Sequence, residues 1–372
     1  MKYYLIAGEA SGDLHGSNLI KALKEQDSAA DFQFWGGDLM AKICGTNPVK
    51  HYKDLAFMGF IEVVSNLKTI LKNLKFCKAD ILRFQPDALI LIDYPGFNLR
   101  IAKWAKQQGI KVLFYISPQV WAWKAKRVHA IKRDVDQLYT ILPFEADFYK
   151  KYDYEVEFVG HPLLDVISNE QQVPPLSIKN TKPIVALLPG SRKQEISKML
   201  PVMLTMTTKF PDYQFIIGGA PAMPNSFYEK IITQNKAGDN IQILHGETYP
   251  LMKQATAALV TSGTATLETA LFDTPEVVCY KGSPISYWIA KRLVKIKYIS
   301  LVNLIVDKPL VKELIQGAFN PQTLRKELSK ILKGTDRERV KTGYRELRKR
   351  LGNNGASSRA AQRMIAFLKQ EE

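Results

Sequence analysis

The sequence predicts an α/β protein made of two Rossmann-like, doubly wound parallel-sheet domains with a cleft between them. Short apolar segments alternate with helical patterns along most of the chain, which indicates parallel sheets covered on both faces. A strand that runs into a glycine turn and then a helix occurs twice, at residues 3–7 and at Ile184–Leu188. The length of 372 residues suits two domains, at about 100 to 200 residues per domain.

The elements of the first half follow from the hydrophobic pattern. Residues 3–7 predict a buried strand, and residues 8–16 form a glycine-rich turn before a helix. Taken alone, this turn fits a plain tight turn as well as a ligand loop. Continuous apolar runs predict further buried strands at Ala88–Ile92, 111–116 and 137–141. We expect residues 1–166 to form the first domain.

A polar segment, residues 167–183, separates the halves and contains two adjacent prolines, a composition typical of a linker. The second domain is predicted at residues 184–334, with buried strands at Ile184–Leu188, 214–218 and Ala257–Thr261. Residues 335–372 predict a charged helix, a break at 352–355 and a final amphipathic helix. We expect these last helices to pack across the domains or onto a partner chain.

The composition excludes several classes of protein. With 46% hydrophobic and 24% charged residues, the chain is neither disordered, nor collagen-like, nor mainly a coiled coil. Its three scattered cysteines are too few for a disulfide framework or a thiolate zinc site, which favours the cytoplasm. No segment approaches the roughly 20 apolar residues of a spanning helix, and no signal-peptide cleavage site is recognisable near residue 8.

The net charge predicts an anionic partner. Lys and Arg number 52 against 36 Asp and Glu, which gives a formal charge of +16. Residues 100–133 hold nine Lys or Arg and no Asp or Glu, around Trp104, Trp121 and Trp123. A basic surface with aromatic side chains could bind nucleic acid or lipid.

A second basic segment is amphipathic and follows an apolar stretch. This pattern suits insertion into a lipid headgroup layer, although a core-facing helix with a solvated lysine face fits it too. The candidate membrane-contacting residues are Phe57, Met58, Phe60, Leu67, Lys68 and Lys72.

Two turns in the second half have features of phosphate sites. A small turn, a hydroxyl and a guanidinium meet at a helix start in Gly190, Ser191 and Arg192, although a plain surface arginine is the competing interpretation. The strand ending at Thr261 runs into small hydroxyl residues that can cradle a phosphate or pack closely on the sheet. Two such turns in one half predict a binding site for a nucleotide diphosphate.

The first half offers a candidate catalytic carboxylate. Asp93 follows the strand Ala88–Ile92 directly and precedes a rigid Pro-Gly turn, and ligands bind at the carboxyl ends of such strands. A turn-forming aspartate is the alternative explanation.

Six motifs in order resemble one family across nearly the whole chain. They are GEASGD at residues 8–13, IDYPGFN at 92–98, SPQVWAW at 117–123, VGHP at 159–162, LPGSR at 188–192 and SGTATLE at 262–268. This set resembles the lipid-A-disaccharide synthases, which are hexosyltransferases of the GT-B kind with two Rossmann-like domains. Each motif alone is weak, but the ordered set is specific.

The resemblance implies a reaction and a set of site residues. It implies transfer of 2,3-diacylglucosamine from UDP to the 6-hydroxyl of 2,3-diacylglucosamine 1-phosphate, which forms the β-1,6 lipid A disaccharide and UDP. Because the anomeric centre inverts, the reaction needs a carboxylate base, for which Asp93 is the candidate and Asp13 the rival. Arg192 would stabilise the leaving diphosphate, with no metal and no other cofactor.

The implied acceptor-side residues are Glu9, Ser11, Asp13 and Asn98. The implied UDP-binding residues are Gly190, Ser191, Arg192, Ser262, Gly263, Thr264, Thr266, Glu268 and Asn303, of which Asn303 has no firm role.

The implied partners are the two acylated sugars and an anionic membrane, bound peripherally at the cytoplasmic face of a Gram-negative inner membrane. Whether the protein forms a homodimer is left open, and no nucleic acid is expected as a partner.

Another UDP-sugar enzyme of this architecture, such as a glucosaminyl transferase or an epimerase, is the nearest alternative. A basic Rossmann-like nucleic-acid-binding protein would explain the charge but not two phosphate-type turns in one half. An NAD-dependent oxidoreductase fits least, because neither glycine turn has the dinucleotide spacing.

Overall fold

The computed structural model describes residues 1–55, 67–168, 173–178, 182–283 and 296–370. It divides the chain into two units, each with its own parallel sheet. The first unit comprises Met1–Asp165 and Asn353–Glu372, and the second comprises Val166–Gly352. The predicted class, two parallel-sheet α/β domains, is confirmed.

In the described part of the first unit, the sheet has seven parallel strands in the order β3-β2-β1-β4-β5-β6-β7. They are β1 (Lys2–Ala7), β2 (Asp31–Gly36), β3 (Lys50–His51), β4 (Ala88–Ile92), β5 (Lys111–Tyr115), β6 (Gln137–Thr140) and β7 (Glu157–Phe158). The central strands are continuous apolar runs because helices cover both faces of the sheet. The strand order reverses between β1 and β4, which makes their carboxyl ends the expected place for a ligand.

Helices connect these strands. They are α1 (Ala10–Gln26), α2 (Asp38–Cys44), α3 (Leu67–Phe84), α4 (Pro95–Gln107), α5 (Val120–Trp123), α6 (Val128–Asp134), α7 (Pro143–Lys150) and α8 (Leu163–Ser168), with 3-10 turns at Tyr52–Asp54 and Ala125–Arg127. One core cluster joins the sheet to these helices, for example through Ile6 and Leu91 of the sheet and Ile101 of α4.

The described second unit has six parallel strands in the order β10-β9-β8-β11-β12-β13. They are β8 (Ile184–Leu188), β9 (Gln214–Gly219), β10 (Ile241–His245), β11 (Ala257–Thr261), β12 (Glu276–Tyr280) and β13 (Lys312–Ile315). The helices are α9 (Lys193–Leu204), α10 (Asn225–Gln234), α11 (Thr248–Gln254), α12 (Thr264–Leu271), α13 (Leu301–Val306), α14 (Pro321–Leu332) and α15 (Thr335–Leu351), with a 3-10 turn at Gln316–Ala318.

The chain then returns to the first unit through α16 (Ala356–Gln370), which packs on α1. The predicted break between α15 and α16 is confirmed, with Gly352 and Gly355 at φ of 88° and 92°. Asp165 caps α16: its carboxylate accepts the N–H of Gly355, and those of Ala356 at 3.2 Å and Ser357 at 3.1 Å. These donors open the helix and would otherwise lack partners.

The strands predicted at Ala88–Ile92, Ile184–Leu188 and Ala257–Thr261 are confirmed with the same bounds. Within the described part of the chain, every helix is too short or too polar to span a lipid bilayer.

Candidate functional site

The first candidate site lies where β1 and β4 end side by side. Their last residues, Ala7 and Ile92, are partners in the parallel register. Half-buried Glu9 precedes α1 and exposed Ser11 lies in its first turn, while Asp93 follows β4 directly. The sheet therefore brings the predicted acceptor-side loop and the predicted base to one edge.

A strained turn carries Asp93. Asp93 and Tyr94 have φ of 44° and 48°, a region that residues other than glycine rarely adopt. The Asp93 N–H donates to the Tyr115 carbonyl at 3.3 Å, and the buried Asn98 amide donates to the Asp93 carbonyl at 2.8 Å and the Ile92 carbonyl at 3.3 Å. These bonds hold the turn in place, so Asn98 positions Asp93 from beneath.

The environment of the Asp93 carboxyl favours its neutral form. Burial, followed by the nearby charge of Glu9, raises the pKa of Asp93 to about 7, while a hydrogen bond from the Tyr94 backbone opposes the rise. A pKa near neutrality suits a general base, because a large fraction of the carboxyl is then deprotonated at neutral pH and basic enough to accept a proton.

The loops after β1 and β4 touch through Gly8 and Tyr94. A Cβ atom at Gly8 would lie 2.4 Å from the Tyr94 ring, so no larger residue fits without moving the ring. The Tyr94 hydroxyl donates to the Leu55 carbonyl at 3.2 Å, and the ring stacks on Phe97 with centroids 5.7 Å apart. Tyr94 therefore couples the glycine-rich loop to the turn that carries Asp93.

Asp13, the rival base, has a different environment. It is buried, and its two oxygens accept three backbone N–H groups, from Gly37 at 2.8 Å, Leu39 at 3.0 Å and Met40 at 3.1 Å. These groups open α2, so Asp13 caps that helix. Its oxygens already serve three donors, which leaves Asp13 poorly disposed to take a substrate proton.

The second candidate site lies at the carboxyl ends of β8 and β11, which pair through Leu188 and Val260. After β8, Gly190 has a φ of 108°, and Arg192 is the N-cap of α9. The Arg192 side chain is 58% exposed, and its guanidinium donates to the Glu195 carboxylate at 3.0 Å. Exposed ion pairs contribute little, so this guanidinium can turn toward an anion at small cost.

In the turn after β11, the side-chain hydroxyls of Ser262 and Thr266 already have hydrogen-bond partners, whereas the first backbone N–H groups of α12 have none within the helix. Gly263 caps α12, Thr264 is exposed in its first turn, and buried Thr266 donates to the Gly263 carbonyl at 2.8 Å. The Ser262 hydroxyl donates to the Ile299 carbonyl at 2.9 Å. Backbone N–H groups at the start of α12, rather than the Ser262 and Thr266 hydroxyls, are therefore the donors best placed for a phosphate.

Glu268 lies one turn into α12 and is half-buried. Burial raises its pKa, and the Tyr249 hydroxyl donates to its Oε1 atom at 3.4 Å, which opposes the rise. Its carboxyl oxygens can accept from hydroxyl groups.

Asn303, the remaining predicted UDP-binding residue, sits in a buried polar cluster. Its Nδ2 atom donates to the Val311 carbonyl and to Glu313 Oε1, both at 2.9 Å, and its Oδ1 atom accepts the Val311 N–H at 2.9 Å. Glu313 also accepts the backbone N–H groups of Ile299 and Ser300, each at 3.0 Å. The amide of Asn303 is thus fully used within the fold, and its contact with a nucleotide stays a prediction.

The predicted membrane-contacting segment is only partly described. Phe57, Met58 and Phe60 lie outside the described residues, and Leu67 is described only as the first residue of α3. Lys68 and Lys72 are exposed on α3. The same helix also exposes three large apolar side chains, namely Leu71, Phe76 and Leu82.

Two tyrosines that the sequence analysis did not select take part in these sites. Tyr94 is adjacent to Asp93 within a recognised motif, so its place in the sequence could have drawn attention to it. Tyr249 offered no such signal, because β11 separates it from Glu268. Among the described residues, no group of three or more His, Cys, Asp or Glu side chains could hold a metal ion.

Comparisons with known proteins give similarities over the whole chain. The family model described as "Lipid-A-disaccharide synthetase" matches residues 3–367. The lipid-A-disaccharide synthase of Syntrophus aciditrophicus is 40% identical, over 99% of this chain and 98% of the relative. The co-structure of S. aureus MnaA with UDP has a TM-score of 0.70 at 13% identity, covering 99% of this chain and 97% of that one. The calicheamicin glycosyltransferase CalG4 has a TM-score of 0.63 at 13% identity, covering 100% and 98%. The two structural similarities show the GT-B fold alone.

Proposed function

The chain belongs to the lipid-A-disaccharide synthase family, and on this premise we propose that it joins two acylated glucosamines. The donor is UDP-2,3-diacylglucosamine, the acceptor is 2,3-diacylglucosamine 1-phosphate, and the products are the β-1,6 disaccharide 1-phosphate and UDP. The observation that carries the proposal is the family match over residues 3–367, which spans both candidate sites.

Asp93 acts as the general base in this proposal. Its carboxylate takes the proton of the acceptor 6-hydroxyl while O6 forms a bond to C1 of the donor. The bond from C1 to the diphosphate oxygen breaks on the opposite face, so the sugar inverts from α to β. The raised pKa of Asp93, near 7, supports this role. Glu9 and Ser11 line the acceptor side of the same edge.

The second unit binds UDP and stabilises its departure. The start of α9, with Gly190, Ser191 and Arg192, and the start of α12, with Gly263 and Thr264, offer N–H groups and a guanidinium to the diphosphate. These groups offset the negative charge that develops as UDP leaves, with no metal required. Glu268 accepts from the ribose hydroxyls.

Several predicted residues act through their neighbours. Asn98 fixes the Asp93 turn, Asp13 fixes the start of α2, and Asn303 fixes the loop between α13 and β13. Ser262 and Thr266 hold the turn that precedes α12. Their loss would misplace the site rather than remove a reacting group.

We propose peripheral binding to an anionic membrane through α3 and the segment before it. Leu71, Phe76 and Leu82 are exposed on α3 beside Lys68 and Lys72, an arrangement that combines apolar insertion with attraction to anionic headgroups. This surface would let the enzyme take acylated substrates from the bilayer.

The function is tested by following UDP release from the full chain in detergent micelles. Release should require both acylated sugars together, and should stop when either is omitted or replaced by its form without acyl chains. Release of UDP without the acceptor, or equal rates with unacylated sugars, would contradict the proposal. Tight duplex DNA binding with a steep salt dependence and no UDP binding would favour the nucleic-acid alternative instead.

A further inference from the structure

An exposed tryptophan ends α5, the short helix in the loop that follows β5. Trp123 is 53% exposed, whereas Trp35 in the same unit is fully buried. A large, solvent-exposed aromatic ring marks a surface on which a ligand can pack, because covering it removes apolar area from water.

The loop that carries Trp123 is rigidly anchored. The hydroxyls of Ser117 and Tyr149, both in buried residues, are 2.7 Å apart. The Trp121 ring packs edge-on against Phe144 with centroids 4.9 Å apart. Trp123 is therefore presented by a fixed support, which is the arrangement expected of a preformed binding surface.

Buried Glu145 strengthens this support. It accepts the backbone N–H groups of Ile141 at 3.2 Å and Leu142 at 2.9 Å. Glu145 thus fixes the start of α7, the helix whose Tyr149 hydroxyl pairs with the Ser117 hydroxyl.

Positive charge is concentrated beside the exposed ring. The Lys124 ammonium lies 4.0 Å from the Trp123 ring centroid, and Lys126 and Arg127 follow in the next turn. No salt bridge between described residues involves these three cations. Partial burial, followed by the charge of Arg127, lowers the pKa of Lys124, which is consistent with cations gathered close together.

The loop leaves the sheet at the edge where Asp93 lies. Tyr115, the last residue of β5, pairs with Ile92, the last residue of β4. The Tyr115 carbonyl accepts the Asp93 N–H at 3.3 Å. The cationic aromatic surface and the proposed base therefore follow neighbouring, hydrogen-bonded strand ends.

We propose that Trp123, Lys124, Lys126 and Arg127 form the subsite for the phosphorylated glucosamine of the acceptor. The indole face packs on the C–H face of the sugar ring, and the three cations bind the 1-phosphate. The inference rests on the proposed function and adds the residues that make the enzyme select a phosphorylated acceptor. A phosphate monoester on a free substrate and the phosphate of a lipid headgroup share this chemistry, and the surface is assigned to the substrate.

The test compares acceptors with and without the 1-phosphate. In micelles with saturating donor, the Lys124→Ala, Lys126→Ala double variant should lose about 100-fold in kcat/KM for the phosphorylated acceptor, at roughly tenfold per charged hydrogen bond. The phosphate-free acceptor should be nearly unaffected, so the preference for phosphate collapses. Lys103→Ala is the control, because Lys103 is exposed on α4 and its replacement removes one positive charge from the same basic stretch.

Trp123→Ala should raise the KM of both acceptors about tenfold and leave the KM of the donor unchanged, and Trp123→Phe should largely restore it. An undiminished preference for phosphate in the lysine variant would overturn the inference, as would loss of binding to anionic vesicles without loss of that preference. If the wild-type enzyme releases no UDP from the acylated sugars, the proposed function itself fails. If the wild type is active and the variants keep its kinetics with both acceptors, only the proposed subsite is contradicted.

Discussion

At the scale of single residues, environment separates carboxyl groups of the same type. Asp93 is half-buried beside another acid and has a raised pKa, whereas Asp13 is bound by three backbone N–H groups. The sequence placed both after the ends of buried strands and left the choice of base open. The burial of Asp93 and the hydrogen bonds of Asp13 distinguish them, and the latter depend on α2, which neither motif contains.

Replacing Asp93 by Asn should lower kcat for UDP release by at least about 100-fold, because the variant has no carboxylate to take the acceptor proton. UDP affinity, measured by calorimetry, should stay within about twofold, since the donor residues lie in the second unit. Asp13→Asn is the matched comparison: it should unfold at lower denaturant and, because it displaces the site rather than removing the base, lose much less activity per folded molecule than Asp93→Asn. Near-wild-type release from Asp93→Asn would exclude Asp93 as the base.

The pH profile tests the same assignment. A base must be deprotonated, so kcat/KM should rise with pH through about 7, the pKa of Asp93, and level off above it. Glu9→Gln removes the neighbouring charge that raises this pKa, so the rising limb should move to lower pH. Because burial is the larger cause, the limb should remain above the ordinary aspartate range. A limb that stays in place in this variant would argue against the coupling of the two acids.

Buried Glu276 should make the stability of the folded protein depend on pH. It is fully buried on β12, neither carboxyl oxygen has a hydrogen-bond partner among the described residues, and burial followed by the charge of Glu313 raises its pKa well above 4.5. The folded state holds this proton more tightly than the unfolded state, so stability falls as pH rises above about 4.5. In urea unfolding between pH 5 and 8, Glu276→Gln should show a smaller loss of stability with pH than wild type. Glu338→Gln, at an exposed site, should keep the wild-type slope, and equal slopes for all three proteins would show that Glu276 does not titrate in this way.

At the scale of elements, continuous apolar strands were predicted most accurately, whereas the buried strand β12, which begins with Glu276, was missed. β4, β8 and β11 are continuous apolar runs fully covered by helices, and their bounds matched. β2 and β10 were not predicted, because each carries polar side chains on a partly exposed strand. Among the described strands, β10 is an edge strand, and β2 has only the two-residue strand β3 on its outer side. This position, which only the assembled sheet defines, obscures the pattern in such strands.

The cap of α16 is a testable element. Asp165→Ala removes the acceptor of the N–H groups of Ala356 and Ser357, so we expect a loss of about 1–2 kcal/mol in the stability of the first unit. Hydrogen exchange should show faster exchange in the first turn of α16 than in wild type. Asp165→Asn, which keeps one acceptor oxygen, should recover part of the loss, and unchanged protection in the alanine variant would refute the cap.

At the scale of the whole molecule, the net charge of +16 supports the proposed binding to an anionic membrane. Peripheral binding predicts that the protein sediments with anionic vesicles at low salt and is released at high salt, since charge attraction is screened. Leu71→Ser, Phe76→Ser, Leu82→Ser on α3 should weaken this binding while the circular dichroism spectrum stays unchanged. Leu39→Ser is the control, because Leu39 is similarly exposed but lies on α2. Equal vesicle binding of all variants would remove α3 from the membrane surface.

The sequence by itself determined the fold class and the family, and it predicted the positions of both strand-end sites. These depend on local signals: apolar runs, glycine turns and short ordered motifs. The tertiary structure decided what each side chain does, because partners come from distant parts of the chain. It showed the hydrogen bonds that commit Asp13, Asn98 and Asn303 to the fold, and the burial that raises the pKa of Asp93. It also showed that Trp123 is exposed while Trp35 is buried, a difference that burial against neighbouring elements creates and composition does not contain.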